Sequence, residues 1–532
     1  MARLSDLPAE LIHRIIDLII HPKQRQSRDH HDADHNEIEG MQQKSRPHRV
    51  FNVTYRPSFR HHTHTWQVNH VTMPEAPWPE GLPSNPLLPL SMVSRCFRRC
   101  AQEKLFKNVA LVDQWQTHLF HRTITRPSPQ DRSELTRAST HAAGTHEAQD
   151  NETDSADNLA RHVRSLQFKW AGHCSMGKGG GSLVCEILRR CSFAENVAIS
   201  TTFLDHCKEP IMEACATQRF IKDFVIVQKK SSRPVLDFQW RVDEMVTRLF
   251  PQWNFLETAE FVGVSSPPVT AVEPIRRSPP VLNSALRTIT LKRFDLDEMD
   301  LSLLLKGSRE SLRKLQIITP SMKLDRRGLC RILKDDTNPD LEYLKVEVGM
   351  LWHPIHFVTN ETRSDDPAKN LGLLDIVFKS SAALRNLKSL VVDGPLTGSE
   401  FFTVLPQSLV KLAWNRCSLS PSAFAKALSS WRDITAYNHP SELHLLQPTS
   451  TDDPQNSDRR VQWLPYLKCC SVHEDDTWSH EELEAIEKAL EARRVCFHIA
   501  GERKFTTREM YEDELEDNFL PEGYILFSDL VR

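Results

Sequence analysis

The sequence predicts an α/β fold: a short helical module at the N-terminus, followed by a leucine-rich solenoid with a curved parallel sheet and helices outside it. Three patterns carry the expectation. Apolar side chains within the first 20 residues recur at three- and four-residue steps, which places them on one helical face. An L-x-x-L-x-L unit, the alternation of a strand, recurs from residue 163 onward. Helix-capping signals fall between successive copies of that unit.

The first helix has clear punctuation. Ser5 or Asp6 can cap it, Pro8 suits the first turn, and Glu10 favours the positive end of the helix dipole. Leu7, Leu11, Ile12, Ile15, Ile16 and Ile19 form its apolar face. Residues 21–86 break the pattern: they are polar, rich in proline, and hold nine of the 24 histidines. Such a stretch buries too little apolar surface to offset chain entropy, so it reads as a mostly disordered insertion with a short strand at Val50–Tyr55. Leu87, Leu90, Val93, Phe97 and Ala101 then mark one helical face, followed by Leu105-Phe106. Val109 and Leu111 alternate as in a strand, Gln114–Phe120 fits a short helix, and residues 125–158 have the composition of a flexible linker. The expected organisation is therefore a helical module over 1–111 interrupted at 21–86, a helix and linker over 112–160, the solenoid over 161–500, and a C-terminal cap or tail over 501–532.

Clear copies of the repeat begin at Val163, Leu256, Leu286, Leu312, Leu341, Leu387, Leu409 and Leu464, with weaker ones at Ala194, Ile221, Trp431 and Ala492. The copy at Leu409–Leu419 fits L-x-x-L-x-L-x-x-C-x-L throughout. The starts at Leu286, Leu312 and Leu341 lie 26 and 29 residues apart, inside the period of leucine-rich repeats. The 46 residues from Leu341 to Leu387 hide either an insertion after Trp352 or a degenerate repeat. Between strands, Ser420-Pro421 and the Ser479/Glu482 capping box announce helices, and Asp295–Leu305 and Asp325–Leu333 supply two more.

Strand alternation also nominates a binding face. With the leucines inward, the third, fifth and seventh positions point to the concave side. Among them are Lys169, Lys292, Lys314, Tyr343 and Lys345. Lys411, Asn415, Tyr466 and Lys468 continue the set. The recurring lysines suggest a basic stripe suited to an acidic or phosphorylated segment of a protein substrate; an ordinary solvated face is the alternative.

Composition excludes several classes. A formal net charge of -3 over 532 residues argues against a globally basic nucleic-acid binder. No stretch approaches the ~20 apolar residues of a membrane span, and no basic-then-apolar leader opens the chain. A soluble protein of the cytoplasm or nucleus is expected. Its 12 cysteines are scattered through apolar runs without a C-x-x-C pair, as small core hydrophobes are in a reducing compartment. Cys96 and Cys100 sit one helical turn apart, but no second pair follows at zinc spacing, so neither metal nor cofactor is expected. The histidine tracts at His30–His35 and His61–His64 read as solvated chain. Gly172–Gly179 nearly matches a phosphate loop but has Gly179 where a magnesium-binding hydroxyl belongs, which leaves a nucleotide-binding enzyme as the weakest alternative.

Two blocks carry a resemblance. Leu4-Ser5-Asp6-Leu7-Pro8-Ala9-Glu10-Leu11-Ile12, with Ile15-Ile16 behind, resembles the first half of an F-box. Leu90-Ser91-Met92-Val93-Ser94-Arg95-Cys96-Phe97-Arg98, then Ala101 and Leu105-Phe106, resembles the second half, and the insertion at 21–86 is far longer than the family's usual few residues. The resemblance implies a helical module that docks on the Skp adaptor of a cullin-RING ubiquitin ligase. By that likeness Leu4, Leu7, Pro8, Leu11, Ile12, Ile15, Leu90 and Val93 supply the docking face. Together with the repeats it implies an F-box/leucine-rich-repeat substrate receptor of SCF type, itself without catalysis. Such a receptor binds no nucleic acid and no membrane, and its protein substrate meets the concave face. A repeat scaffold with no ligase link is the alternative.

Overall fold

A computed structural model describes residues 7–20, 87–111, 114–125, 159–168, 175–177, 180–200, 207–227, 240–266, 286–355, 365–380, 384–417, 419–433, 460–473 and 478–500. Leu4, Lys169, the Val50–Tyr55 strand and the segments 21–86 and 501–532 lie outside the described residues, as does most of 125–158. The chain forms two compact units, residues 1–262 with 280–286, and residues 263–279 with 287–532.

The first unit opens with three helices, α1 (Ala9–Ile20), α2 (Leu87–Val93) and α3 (Arg95–Lys107). Pro8 sits just before α1, and its carbonyl accepts the Leu11 and Ile12 amides. The face expected to run unbroken from Leu87 to Ala101 is divided by Ser94. This residue is extended, and its hydroxyl accepts the Phe97 amide at 3.2 Å, so it caps a new helix rather than continuing the old one. Leu105 and Phe106 lie inside α3 instead of following it. Ile12 and Ile16 of α1 pack with Leu87, Phe97, Cys100 and Ala101 into one buried cluster. The half-exposed Asp17–Lys104 pair, at 2.8 Å, adds at most about 1 kcal/mol.

Strand β1 (Asn108–Leu111) follows directly and pairs in parallel with β2 (Ser165–Phe168). The boundary expected at residue 111 therefore cuts off the first rung of the strand ladder. Helix α4 (Gln114–Thr125) intervenes. Strands β3 (Asn196–Ser200), β4 (Asp223–Val227) and β5 (Thr258–Val262) continue the parallel ladder in chain order. Helices Gly181–Arg190 and Lys208–Ala216 and a helical segment over 242–252 connect them. Phe224 centres this core, with Trp253 at 4.7 Å and Trp240 at 5.6 Å between ring centres. The Trp253 indole donates to the Cys215 carbonyl at 3.1 Å, so its polar atom is satisfied in the interior.

The second unit repeats the plan with β6 (Thr288–Lys292), β7 (Lys314–Ile318), β8 (Tyr343–Glu347), β9 (Ser389–Asp393) and β10 (Lys411–Asn415), each parallel to the next. A two-stranded antiparallel pair comes next, β11 (Trp431–Asp433) with β12 (Arg460–Gln462). The ladder resumes with β13 (Cys469–His473) beside β10 and ends, among the described residues, with β14 (Cys496–Ala500). Inward side chains such as Leu315, Ile317, Leu344, Val346, Leu390 and Val392 are fully buried, each contributing about 1.5–3 kcal/mol. One rung alone cannot cover these residues, so stacked rungs stabilise one another.

Local chemistry explains the connections. Asp297, Asp325, Ser420 and Ser479 each accept an amide of the following first turn, and Ser479 and Glu482 complete the capping box. Arg293, Thr319, Gly394 and Arg416 each follow a strand directly, and all four are left-handed. At Gly394 an added Cβ would stand 2.5 Å from the Val348 carbonyl oxygen, so only glycine fits that turn.

One open alternative about the repeats is resolved, and three expected copies are corrected. The 46-residue gap is an insertion, because β8 and β9 pair directly in register, Tyr343 with Ser389. It is held by Arg326, buried, whose guanidinium donates to the carbonyls of Pro367, Asn370, Leu371 and Pro395 at 2.9–3.0 Å. Burial lowers the pKa of this group to about 10, so it remains charged at neutral pH. The copy assigned to Leu464 starts three residues later, at Leu467. Leu464 is left-handed and precedes the strand, and Cys470 and Val472 take the inward positions. The copies assigned to Ala492 and Trp431 also fail: Ala492 ends a helix, and Trp431 pairs antiparallel outside the ladder.

Candidate docking surfaces

Helix α1 is apolar on two sides. Ile12 and Ile16 face the module's own core and are fully buried, which removes Ile12 from the docking face expected of it. Leu11, Ile15 and Leu18 recur at i, i+4 and i+7 on the other side. Leu11 is 49% and Leu18 51% exposed, and Ile15 is half-buried. Pro8 is exposed at the start of this helix. On α2, Val93 is 51% and Met92 76% exposed, while Leu90 and Leu7 are half-buried against the core cluster. The module thus presents more large apolar side chains than its own interior uses.

The second candidate surface is the outward face of the second unit's strands. In β7, β8, β9 and β10, half-exposed and buried residues alternate, so the third, fifth and seventh positions of each repeat lie on the open face. Register resolves them into rows. The first runs Thr288, Lys314, Tyr343, Ser389, Lys411, Cys469 and Cys496. Lys345 lies in the second row, and Lys292 opens a third that continues through Glu347, Asp393 and Asn415. Lys314 and Lys411 share a row but stand three strands apart, about 14 Å at the usual spacing.

Partners further divide this charge. Lys345 pairs with Glu347 at 3.0 Å, and the Lys314 ammonium lies 4.5 Å from the Tyr343 ring centre. Asp393 accepts from Asn415 at 3.1 Å and from Arg416 at 2.6 Å. The lysines are spread over three rows of a face of mixed sign. Tyr466 and Lys468 precede β13 and hold no strand position, because the repeat begins at Leu467; both are nonetheless exposed.

The glycine-rich stretch offers no open anion cradle in its described part. The Gly180 amide donates to the Met176 and Gly177 carbonyls, and the Gly181 amide to the Ser175 carbonyl at 2.9 Å. The Gly181 amide at the start of the following helix, which a phosphate loop would aim at its ligand, is thus engaged internally. Gly172 and Gly179 lie outside the described residues.

One exposed cluster was missed in the sequence. Phe193, Phe220 and Phe255 each stand three residues before a strand and stack at 5.7 and 6.0 Å between ring centres. Beside them runs a charge ladder, Arg164–Glu195 at 3.5 Å and Glu195–Lys222 at 2.8 Å. The signal was a phenylalanine at constant offset from the repeat start, outside the L-x-x-L-x-L pattern itself.

Neither a family model nor a curated protein matches the chain. Among solved structures, it is similar to a chain from the crystal structure of the Rad7 and Elc1 complex in yeast. The identity is 12% and the TM-score 0.32, over 62% of this chain and 75% of that one. Each unit of the present chain is an α/β ladder of parallel strands in chain order, the arrangement of a repeat protein. Among the described residues, no helix is long and apolar enough to cross a membrane.

Proposed function

We propose that the chain is a non-catalytic adaptor, the substrate-recognition subunit of a cullin-RING ubiquitin ligase of SCF type. The observation that carries this reading is the second apolar side of the N-terminal module. Leu11, Leu18, Met92 and Val93 remain exposed although Ile12 and Ile16 already complete the module's core. Large apolar residues left over on a small helical module suit a helix-in-groove or helix-on-helix partner, here the Skp adaptor. The outward strand face of the second unit then receives a protein substrate through Tyr343, Lys345, Lys411 and their neighbours. Holding both partners raises the effective concentration of a substrate lysine near the ubiquitin carrier; no bond is made or broken by the chain itself. The cytoplasm and the nucleus, where such ligases have their substrates, are the proposed locations.

Co-expression of the full chain with the Skp adaptor tests the reading. Stable co-purification is expected, and Leu11→Asp with Val93→Asp should abolish it. These positions are half-exposed, so the unfolding free energy should change by no more than about 0.5 kcal/mol for each. Ile12→Ala, by contrast, should cost about 2–5 kcal/mol because it opens the core. Failure of the intact, folded chain to retain the adaptor would leave a repeat scaffold without a ligase link.

A further inference from the structure

The outward positions of β13 and β14 bring three soft donors together. Cys469 opens β13, Cys496 opens β14, and the two are direct register partners in the parallel pair. His498 lies two residues beyond Cys496, hence on the same side of the strand, opposite Ser471. The two sulfurs and a ring nitrogen of His498 all lie within 4.8 Å of one another, and all three residues are half-buried. We propose that Cys469, Cys496 and His498 form a binding site for a thiophilic cation, zinc foremost, with a fourth coordination position open to the outward face of the strands.

The donor set selects the ion. Two sulfurs and an imidazole match zinc, whereas magnesium and calcium require oxygen ligands that these three residues do not supply. Ligand atoms around tetrahedral zinc stand roughly 3.5–3.8 Å apart, given bonds of about 2.3 Å to sulfur and 2.0–2.1 Å to nitrogen. Closure therefore needs about 1 Å of side-chain adjustment, within reach of a small χ1 rotation. Two thiolates would neutralise a dication beside the Lys411 ammonium, the register partner of Cys469 on its other side. Loading balances as one dication bound and two S–H protons released to solvent.

Neighbouring cysteines lack these properties. Cys470, the next residue, points inward and is fully buried, and Cys417 is buried behind β10. The site is invisible to a search for short metal motifs because its ligands come from two rungs. Cys469 and Cys496 are separated by one repeat, and only the C-x-H of Cys496 and His498 is local. Parallel pairing converts a separation along the chain of one repeat into side-by-side contact.

The test uses the full chain, reduced and stripped of metal, titrated with cobalt(II) as a spectroscopic stand-in for zinc. One equivalent should produce a thiolate-to-cobalt charge-transfer band and the intense visible bands of tetrahedral coordination, all abolished by added zinc. Cys469→Ser and Cys496→Ser should each lower zinc affinity in chelator competition by more than about 100-fold, beyond the 10–100-fold typical of an outer-shell partner. His498→Ala should alter the visible bands, and Cys417→Ser should leave every signal unchanged. Thermal unfolding without metal verifies that each variant is folded, and zinc should raise the midpoint of the parent chain and of Cys417→Ser but not of Cys469→Ser or Cys496→Ser. No charge-transfer band in the parent chain, or one that survives in the double serine variant, overturns the proposal.

Discussion

The strands of the two units share one alternation but use their outward faces differently. In the first unit five outward residues are buried, Ser165, Gln167, Ala198, Val225 and Thr258, all at most 4% exposed, although their neighbours Asn108, Asn196, Asp223 and Glu260 are half-exposed. In the second unit the equivalent positions, among them Lys314, Gln316, Lys345, Val391 and Ala413, are half-exposed. Alternation decides which side chains share a face, because successive residues of a strand point to opposite sides. It does not decide whether that face meets water. On the strands of the second unit the open positions carry charged, polar and small apolar residues that water reaches, among them Lys314, Lys345 and Val391.

A matched pair of substitutions tests this contrast most strongly. Val225 and Val391 hold the same fifth position of their repeats, in β4 and β9. Val225→Asp should destabilise the protein by about 3 kcal/mol or more, since it buries an unpaired carboxylate. Val391→Asp should cost about 1 kcal/mol or less. Chemical denaturation of the two variants measures the difference, and equal losses would break the contrast.

The next effect lies within the second unit. Arg326→Ala leaves the carbonyls of Pro367, Asn370, Leu371 and Pro395 without their donor, at an expected cost of about 2–4 kcal/mol in the same assay. Cleavage within the insertion during limited proteolysis should rise in parallel. A variant as resistant as the parent would show that the insertion holds itself in place.

The smallest effect is electrostatic. Arg331 donates to Glu298, and this bond holds the Glu298 carboxyl below its ordinary value of 4.5. A carboxylate whose folded pKa is depressed stabilises the fold above its unfolded pKa. That contribution is lost as pH falls through the lower folded value. Arg331→Ala should therefore lower the unfolding free energy slightly at neutral pH, by about 1 kcal/mol or less for so exposed a pair, and the gap should close in acid. A gap that widens on acidification would contradict the assignment.

Much of the ladder was legible because leucine marks its inward positions. Leu409 and Leu412, or Leu341 and Leu344, announce their strands without help from context. The reading slipped where that marker was shared or replaced. Leu464 and Leu467 both open a plausible unit, and Cys470 stands where leucine is usual, so the strand was placed three residues early. Trp431 sits before an apolar-alternating stretch, but its pairing is decided by β12, which no local pattern declares. The N-terminal face was half legible. Periodicity placed Leu11, Ile12 and Ile15 on one helix, but only packing against Phe97 and Cys100 separates the buried Ile12 from the exposed Leu11. The Cys469, Cys496 and His498 cluster could not be seen until the register of β13 and β14 was known.

Within each unit, every ladder strand pairs with the one that precedes it along the chain. During synthesis a newly emerged rung then finds its template already in place, without waiting for distant sequence. The longest such wait in the second unit's described strands before residue 415 is the one from β8 to β9, across the insertion clamped by Arg326. Ribosome-stalled chains ending before and after residue 393 would locate that pause as a step in protection from protease, in keeping with the rule that local contacts form early.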